Sequence, residues 1–309
     1  MPNKVLLVLG DRNPNHWKHN LLQSDSSLSI DIWPNISQTD DYVTAVIWKQ
    51  PNDLSNNFKK LRLICSIGAG VDHILGDTYL PPGIKITRIV DTSLTKSMTK
   101  FVLMSILNFE RQFIQLYEAR QNHIWEKPIP FRYKPSVGIL GLGVLGKDLA
   151  TQLNLLDYEV HGLANTEKNI PGVYTYRKNQ LDIMLGKINI LVNLLPLTSE
   201  TKGILNYSLF NKCKPGTYLI HVARGKHLVE DDLLKALNSE NLSGALIDVF
   251  DNEPLPQNHA FWKDSRIMIT PHIASITNPA EAAAQIVENH QRILMGKPLL
   301  NEVDRAKGY

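Results

Sequence analysis

Short runs rich in Val, Ile and Leu recur along the 309-residue chain and set the strongest limit on its fold. They fall at 4–9, 44–48, 62–66, 85–90, 136–140, 158–163, 188–193, 217–222, 244–249 and 266–270. Helical patterns and turn residues separate them. A strand that is apolar on both faces has to be covered on both faces, and helices alternating with strands supply that cover. The runs therefore predict parallel sheet of the α/β class. Composition agrees, since 43% hydrophobic and 20% charged residues describe an ordinary globular chain, long enough for two domains.

Two helices look like joints. One starts at Thr92 or Ser93 and carries Leu94, Met98, Phe101, Val102, Ile106 and Phe109 at the spacing of one helical face. The other opens at Asn278-Pro279, a capping residue before a proline at the first helical position, and stops at Gly296 with Pro298 beyond. The stretch between them has its own strand–helix alternation. The expected organisation is a central domain, residues 101–278, inserted into a domain built from 1–100 and 279–309. One long sheet is the alternative.

Charge excludes some partners. The net charge is +3, acids and bases are interleaved, and the longest basic cluster is a pair, as at Lys59-Lys60, so no nucleic acid is expected. Cys65 and Cys213 lie outside any CxxC pattern, which argues against a disulfide scaffold or a metal site and fits a reducing, cytoplasmic setting. The first apolar run is too short for a signal peptide and is broken by Gly10 and Asp11. No apolar run is long enough for a membrane span.

Within the stretch "VGILGLGVLGKDLATQL" stands Gly141-x-Gly143-x-x-Gly146. The bare pattern is weak, but an apolar strand leads in and Leu145, Leu149 and Leu153 follow at helical spacing. Gly141 would allow the sharp turn, Gly143 the approach of a pyrophosphate, and Gly146 close packing of helix on sheet. The helix N-terminus, at Val144 and Leu145, would face the anion. A dinucleotide is the expected cofactor.

The next strand should end in an acid that binds the ribose hydroxyls of NAD. It ends instead in "HGLANTEK", residues 161–168. Ala164 has no charge to repel a 2′-phosphate, while Asn165, Thr166 and Lys168 can bind one. Glu167 works the other way. NADP(H) is favoured over NAD(H).

Three further segments stand at the ends of expected strands, where open α/β sheets place ligands. They are "HVARGKHLVEDDLL" with Arg224, "IDVFDNEPLP" with Asp248 and Glu253, and "ITPHIAS" with His272. Arg224 would hold the carboxylate of a 2-oxo acid and polarise its ketone. His272 would donate the proton as hydride arrives. Glu253 would orient the imidazole and favour its charged form. Each residue also has a plain reading, as a surface arginine, a turn glutamate and a loop histidine. The other histidines, among them His73, His161, His221 and His227, default to structural or surface roles.

In that order, the glycine turn, "VARG", "DVFDNEPLP" and "ITPHIAS" resemble the D-isomer-specific 2-hydroxyacid dehydrogenases across nearly the whole chain. "GAGVDHIL", "NLLPLTSET", "GKHLVEDDLL", "ITNPAEA" and "VDRAKGY" are most similar to the glyoxylate/hydroxypyruvate reductase A branch. The resemblance implies two Rossmann-like domains, a dinucleotide-binding one inserted into a flavodoxin-like substrate domain. It implies NADPH-dependent reduction of glyoxylate to glycolate and of hydroxypyruvate to D-glycerate, with Arg224, Glu253 and His272 as the catalytic set. It places Asp248 near the nicotinamide carboxamide and adds Leu195, Pro196, Thr201, Val222 and Ala223 to the cofactor contacts. Amides of Gly68, Ala69, Gly70 and Val71 would hold the substrate carboxylate. Trp48 would line that site, or simply pack at a strand end. A homodimer is implied, and no metal.

The chain departs from the family at one place. Relatives often carry arginines just after the second strand of the nucleotide domain, where this chain has Asn165 and Glu167, so a guanidinium contact to a 2′-phosphate is missing. Two other functions stay open at this point: a 2-hydroxyacid dehydrogenase for a bulkier 2-oxo acid or phosphoglycerate, and a dinucleotide-sensing corepressor-like protein.

Overall fold

The computed structural model describes residues 3–36, 42–51, 54, 58–125 and 135–309. These form two compact units, Met1–Leu94 with Ile276–Tyr309, and Thr95–Ser275. Every strand expected from the apolar runs is present among the described residues.

The first unit is built on β1 (Lys4–Val8), β2 (Ser29–Ile32), β3 (Thr44–Ile47), β4 (Leu63–Ser66) and β5 (Lys85–Thr87). Their order is β2-β1-β3-β4-β5, all parallel, which is the flavodoxin-like arrangement. Helices α1 (Pro14–Ser24) and α2 (Asp72–Leu75) belong to it, and so does α9 (Pro279–Leu294), which packs against α1. Asn13 caps α1 by accepting from the amide of Asn15 at 3.0 Å, and Asn278 caps α9 by accepting from Ala280 at 3.1 Å. Leu6, Val8, Ile47, Ile64, Ile74 and Ile86 fill one side of its core.

The second unit contains α3 (Thr92–Glu110) from Thr95 onward, then α4 (Phe113–Gln121), β6 (Val137–Leu140), α5 (Val144–Leu155), β7 (Val160–Leu163) and β8 (Val173–Tyr176). It continues through α6 (Leu181–Leu185), β9 (Ile190–Asn193), α7 (Tyr207–Phe210), β10 (Thr217–His221), α8 (Glu230–Asn238), β11 (Leu242–Ile247) and β12 (Ile267–Ile269). The sheet runs β12-β11-β10-β9-β6-β7-β8, again parallel, with the reversal between β9 and β6. That is the dinucleotide-fold order with one strand added.

Register decides where the chemistry sits. Leu163 pairs with Leu140, Leu140 with Asn193, Asn193 with His221, His221 with Ile247, and Ile247 with Ile269. Six strands thus end on one row. The loops beginning at Gly141, Ala164, Leu194, Val222, Asp248 and Thr270 leave the sheet side by side.

β2 and β8 were not expected. Both are edge strands, and neither is a continuous apolar run: in "VYTY" only Tyr176 is buried, and in "SIDI" only Ile30. An edge strand with one wet face carries a weaker apolar signature than a central one.

Candidate active site

At the end of β6 the chain turns at Gly141, whose φ of +103° lies where a side chain would be strained. A Cβ on Gly146 would stand 2.0 Å from the Gly141 carbonyl oxygen, so α5 starts as close to the turn as backbone allows. Gly143 caps α5 without a side-chain bond, and a Cβ there would meet nothing. The first amides of α5, from Val144 and Leu145, have no partner within the helix and carry the positive end of its dipole, and no side chain at Gly143 stands in their way. This turn fits a dinucleotide pyrophosphate.

The neighbouring loop is braced from within. The Thr201 hydroxyl donates to Pro196 O at 2.7 Å and accepts from the Thr198 amide at 2.9 Å. Leu195 N donates to Asn193 Oδ1, while Asn193 Nδ2 faces His221 Nδ1 at 3.3 Å. Val222 and Ala223 are buried as β10 ends.

Arg224 follows directly, and its backbone is held more firmly than the sequence implied. His221 Nε2 and His227 Nδ1 both lie 2.9 Å from the Arg224 carbonyl oxygen, and His227 Nε2 lies 3.2 Å from Pro196 O. Both rings are fully buried. Two imidazoles aimed at one carbonyl fix the arginine at the strand end, which gives His221 and His227 the structural role expected by default, at a particular backbone atom. Their signal was position, one three residues before Arg224 and the other three after it. The Arg224 guanidinium donates to Ala223 O at 2.7 Å and is half-buried.

Burial pushes the His221 imidazole down to about 3, and His227 adds to the effect. The unfolded chain binds a proton at His221 below about pH 6.5, whereas the folded chain does not until about pH 3. Folding stability therefore falls as pH drops through that window, by about 1.4 kcal/mol per pH unit for this group. Urea unfolding at pH 7 and pH 5 should show the slope, and His221→Asn should flatten it by one proton. An unchanged slope would mean that His221 is not held neutral.

Gly225 then lies against β11's exit loop, where a Cβ would stand 1.9 Å from the Phe250 carbonyl carbon. Three residues after Phe250 comes Glu253, which accepts from the Phe250 amide through Oε1 at 3.1 Å. Its Oε2 faces His272 Nδ1 at 2.8 Å, and both side chains are about a quarter exposed. A carboxylate only accepts, so Nδ1 carries the proton and Nε2 is left for another partner. His272 has φ +53°, an unusual backbone state for a non-glycine residue.

Asp248 explains how that state is held. Its carboxylate accepts from Thr270 Oγ1 at 2.6 Å and from the amides of Ile273 and Ala274 at 2.9 Å, while its carbonyl accepts from His272 N. Burial raises its carboxyl above the usual range despite those donors. In this structure Asp248 shapes the histidine loop.

In the first unit Trp48 leaves β3 beside β1, donating its amide to Val8 O at 2.8 Å. Its ring lies on Gly68, where a Cβ would stand 3.0 Å from Cζ3, and 4.8 Å from the His73 ring. The indole Nε1 is buried with no hydrogen-bond partner among the described residues. Ser66 Oγ accepts from Gly68 N and donates to Gly70 O, which folds Gly68, Ala69, Gly70 and Val71 into a tight loop at the end of β4.

The segment after β7 has a neighbour that the sequence did not point to. Asn165, Thr166, Glu167 and Lys168 are exposed. An arginine does reach them, from just past the unexpected strand β8: Arg177 Nη1 donates to Asn165 O at 2.6 Å, and Nη2 lies 3.8 Å from Glu167 Oε2. It was missed because it is brought there by strand pairing and not by sequence proximity.

Cys65 and Cys213 are buried free thiols, both pushed up to about 12 by burial. Among the described residues no cluster suits a metal ion, and no helix is long and apolar enough to cross a membrane.

Residues 103–274 match the family model described as D-isomer specific 2-hydroxyacid dehydrogenase, NAD binding domain. Glyoxylate/hydroxypyruvate reductase A of Serratia proteamaculans is 38% identical over 96% of this chain and 97% of its own. Among solved structures, a D-isomer specific 2-hydroxyacid dehydrogenase of Xanthobacter autotrophicus in complex with NADPH and MES superposes with a TM-score of 0.94. It is 33% identical over 99% of each chain. An NADPH-dependent glyoxylate/hydroxypyruvate reductase of Sinorhizobium meliloti, in complex with NADP and sulfate, gives 0.93 at 33% identity, again over 99% of each chain. The chain belongs to the D-isomer specific 2-hydroxyacid dehydrogenase family.

Proposed function

We propose that this chain reduces small 2-oxo acids with NADPH, glyoxylate to glycolate and hydroxypyruvate to D-glycerate. The observation that carries the reading is the Glu253–His272 pair at 2.8 Å on the same sheet end as Arg224. The relatives' printed activities and their NADPH and NADP complexes support it. The sensor reading is not favoured, because relatives matched over nearly their whole length are named as reductases.

When bound, the nicotinamide supplies the hydride. Arg224 binds the substrate carboxylate and stabilises charge growing on the ketone oxygen. His272 delivers its Nε2 proton to that oxygen. Glu253 keeps Nδ1 protonated, orients the ring and stabilises the imidazolium before transfer. The glycine turn with Val144 and Leu145, the loops of Leu195, Pro196 and Thr201, Val222, Ala223 and Asp248, and Asn165, Thr166 and Lys168 are the cofactor-binding residues. The unit Thr95–Ser275, close to the expected 101–278, serves as the dinucleotide domain, and the other unit as the substrate domain. Trp48 and the loop of Gly68, Ala69, Gly70 and Val71 are the latter's substrate contacts.

The protein works as a cytoplasmic homodimer. The dimer is supported by Met104, Leu107, Phe113 and Tyr117, large side chains left exposed on α3 and α4, and by α4's burying none of its residues. The compartment is supported by the two free buried cysteines.

Chiral chromatography of the product from hydroxypyruvate tests the reaction. The expected product is D-glycerate, formed in step with NADPH loss. L-glycerate, or NADPH loss without glycerate, would overturn the reading.

A further inference from the structure

We propose that Arg177 is the guanidinium that selects NADPH by binding its 2′-phosphate, in place of the arginines absent after β7. The inference rests on the NADPH reading above and assigns its specificity to one residue just past a different strand.

The placement follows from the sheet. β8 pairs with β7 so that Tyr176 stands opposite Leu163, and the Ala164 amide donates to Tyr176 O at 3.0 Å. The residue that follows β8 must then emerge beside the segment that leaves β7. In doubly wound sheets that segment meets the adenine ribose of a dinucleotide. The bond from Arg177 Nη1 to Asn165 O at 2.6 Å holds the guanidinium there, and the Arg177 amide is itself fixed by Gln180 Oε1 at 3.0 Å.

The remaining donors of the fork have no hydrogen-bond acceptor among the described residues. The nearby anion, Glu167, is 3.8 Å away on a side chain 92% exposed, against 47% for Arg177. An exposed carboxylate at that distance is weakly held. It acts as a place-holder that a dianionic phosphate displaces, since a phosphate offers more charge and matches the planar fork. Ala164 contributes no competing charge. Glu167 tempers the preference, because its carboxylate repels the phosphate when displaced.

The test is binding, read by calorimetry or nicotinamide fluorescence, for NADPH and NADH with the whole protein. Wild type should bind NADPH more tightly. Arg177→Ala should weaken NADPH about tenfold or more while leaving NADH within about twofold, because only NADPH loses a charge-assisted contact. Arg177→Lys should recover part of the loss, and Glu167→Gln should tighten NADPH. Equal weakening of both cofactors would make Arg177 a structural brace and overturn the assignment, as would an unchanged NADPH affinity. A wild type that binds NADH as tightly as NADPH would instead overturn the NADPH reading itself, and the assignment with it.

Discussion

His272→Ala is expected to lower kcat by roughly a hundred- to ten-thousand-fold, the range spanned by loss of a general acid. NADPH affinity should stay close to wild type. The two readouts separate because His272 meets Glu253 through its side chain, whereas its loop is held by backbone. Asp248 grips Ile273 N, Ala274 N and Thr270 Oγ1, and none of these bonds needs the imidazole. The variant therefore keeps its sheet end and loses its proton donor. Stopped-flow single turnovers, with binding measured separately, check both parts. Retained turnover would remove His272 from the reaction, and lost NADPH binding would make it structural.

Arg224→Lys is expected to raise KM for the 2-oxo acid and lower kcat, with kcat/KM down about a hundredfold. A lysine keeps the charge but replaces a planar fork by a point donor, which cannot hold a carboxylate and a ketone oxygen together. His221 and His227 hold the backbone carbonyl and not the side chain, so the loop should survive the change. Steady-state kinetics against glyoxylate give both constants. A kcat/KM within about threefold of wild type would place the guanidinium outside the reaction.

Much of this site was legible in the sequence because strand ends announce themselves. The runs that became β6, β9 and β10 are central and buried along their length, β11 is buried at all but Ser243, and β12, though at an edge, is wholly apolar, so each shows as a run. Arg224, Asp248 and Glu253 could be placed simply by reading where each run stopped, and His272 likewise. What escaped depended on burial and on strand pairing. The histidine clamp on Arg224 joins residues three apart on either side, but its meaning depends on burial, which a polar residue type does not advertise. Arg177 escaped because β8 is a four-residue edge strand with one buried side chain. Without that strand, "VYTYRK" reads as a loop and its arginine as surface charge. The reading that arginines are absent just after β7 concerned that segment alone, and Arg177 reaches it from just past the end of β8.

The central claim is reduction of small 2-oxo acids with NADPH, and initial rates of cofactor consumption test it most directly. Glyoxylate, hydroxypyruvate and pyruvate are each assayed with NADPH and with NADH. Glyoxylate and hydroxypyruvate should be turned over with NADPH, each faster than pyruvate and each faster than with NADH. Absence of NADPH consumption with either acid, or turnover of pyruvate above both, would contradict it.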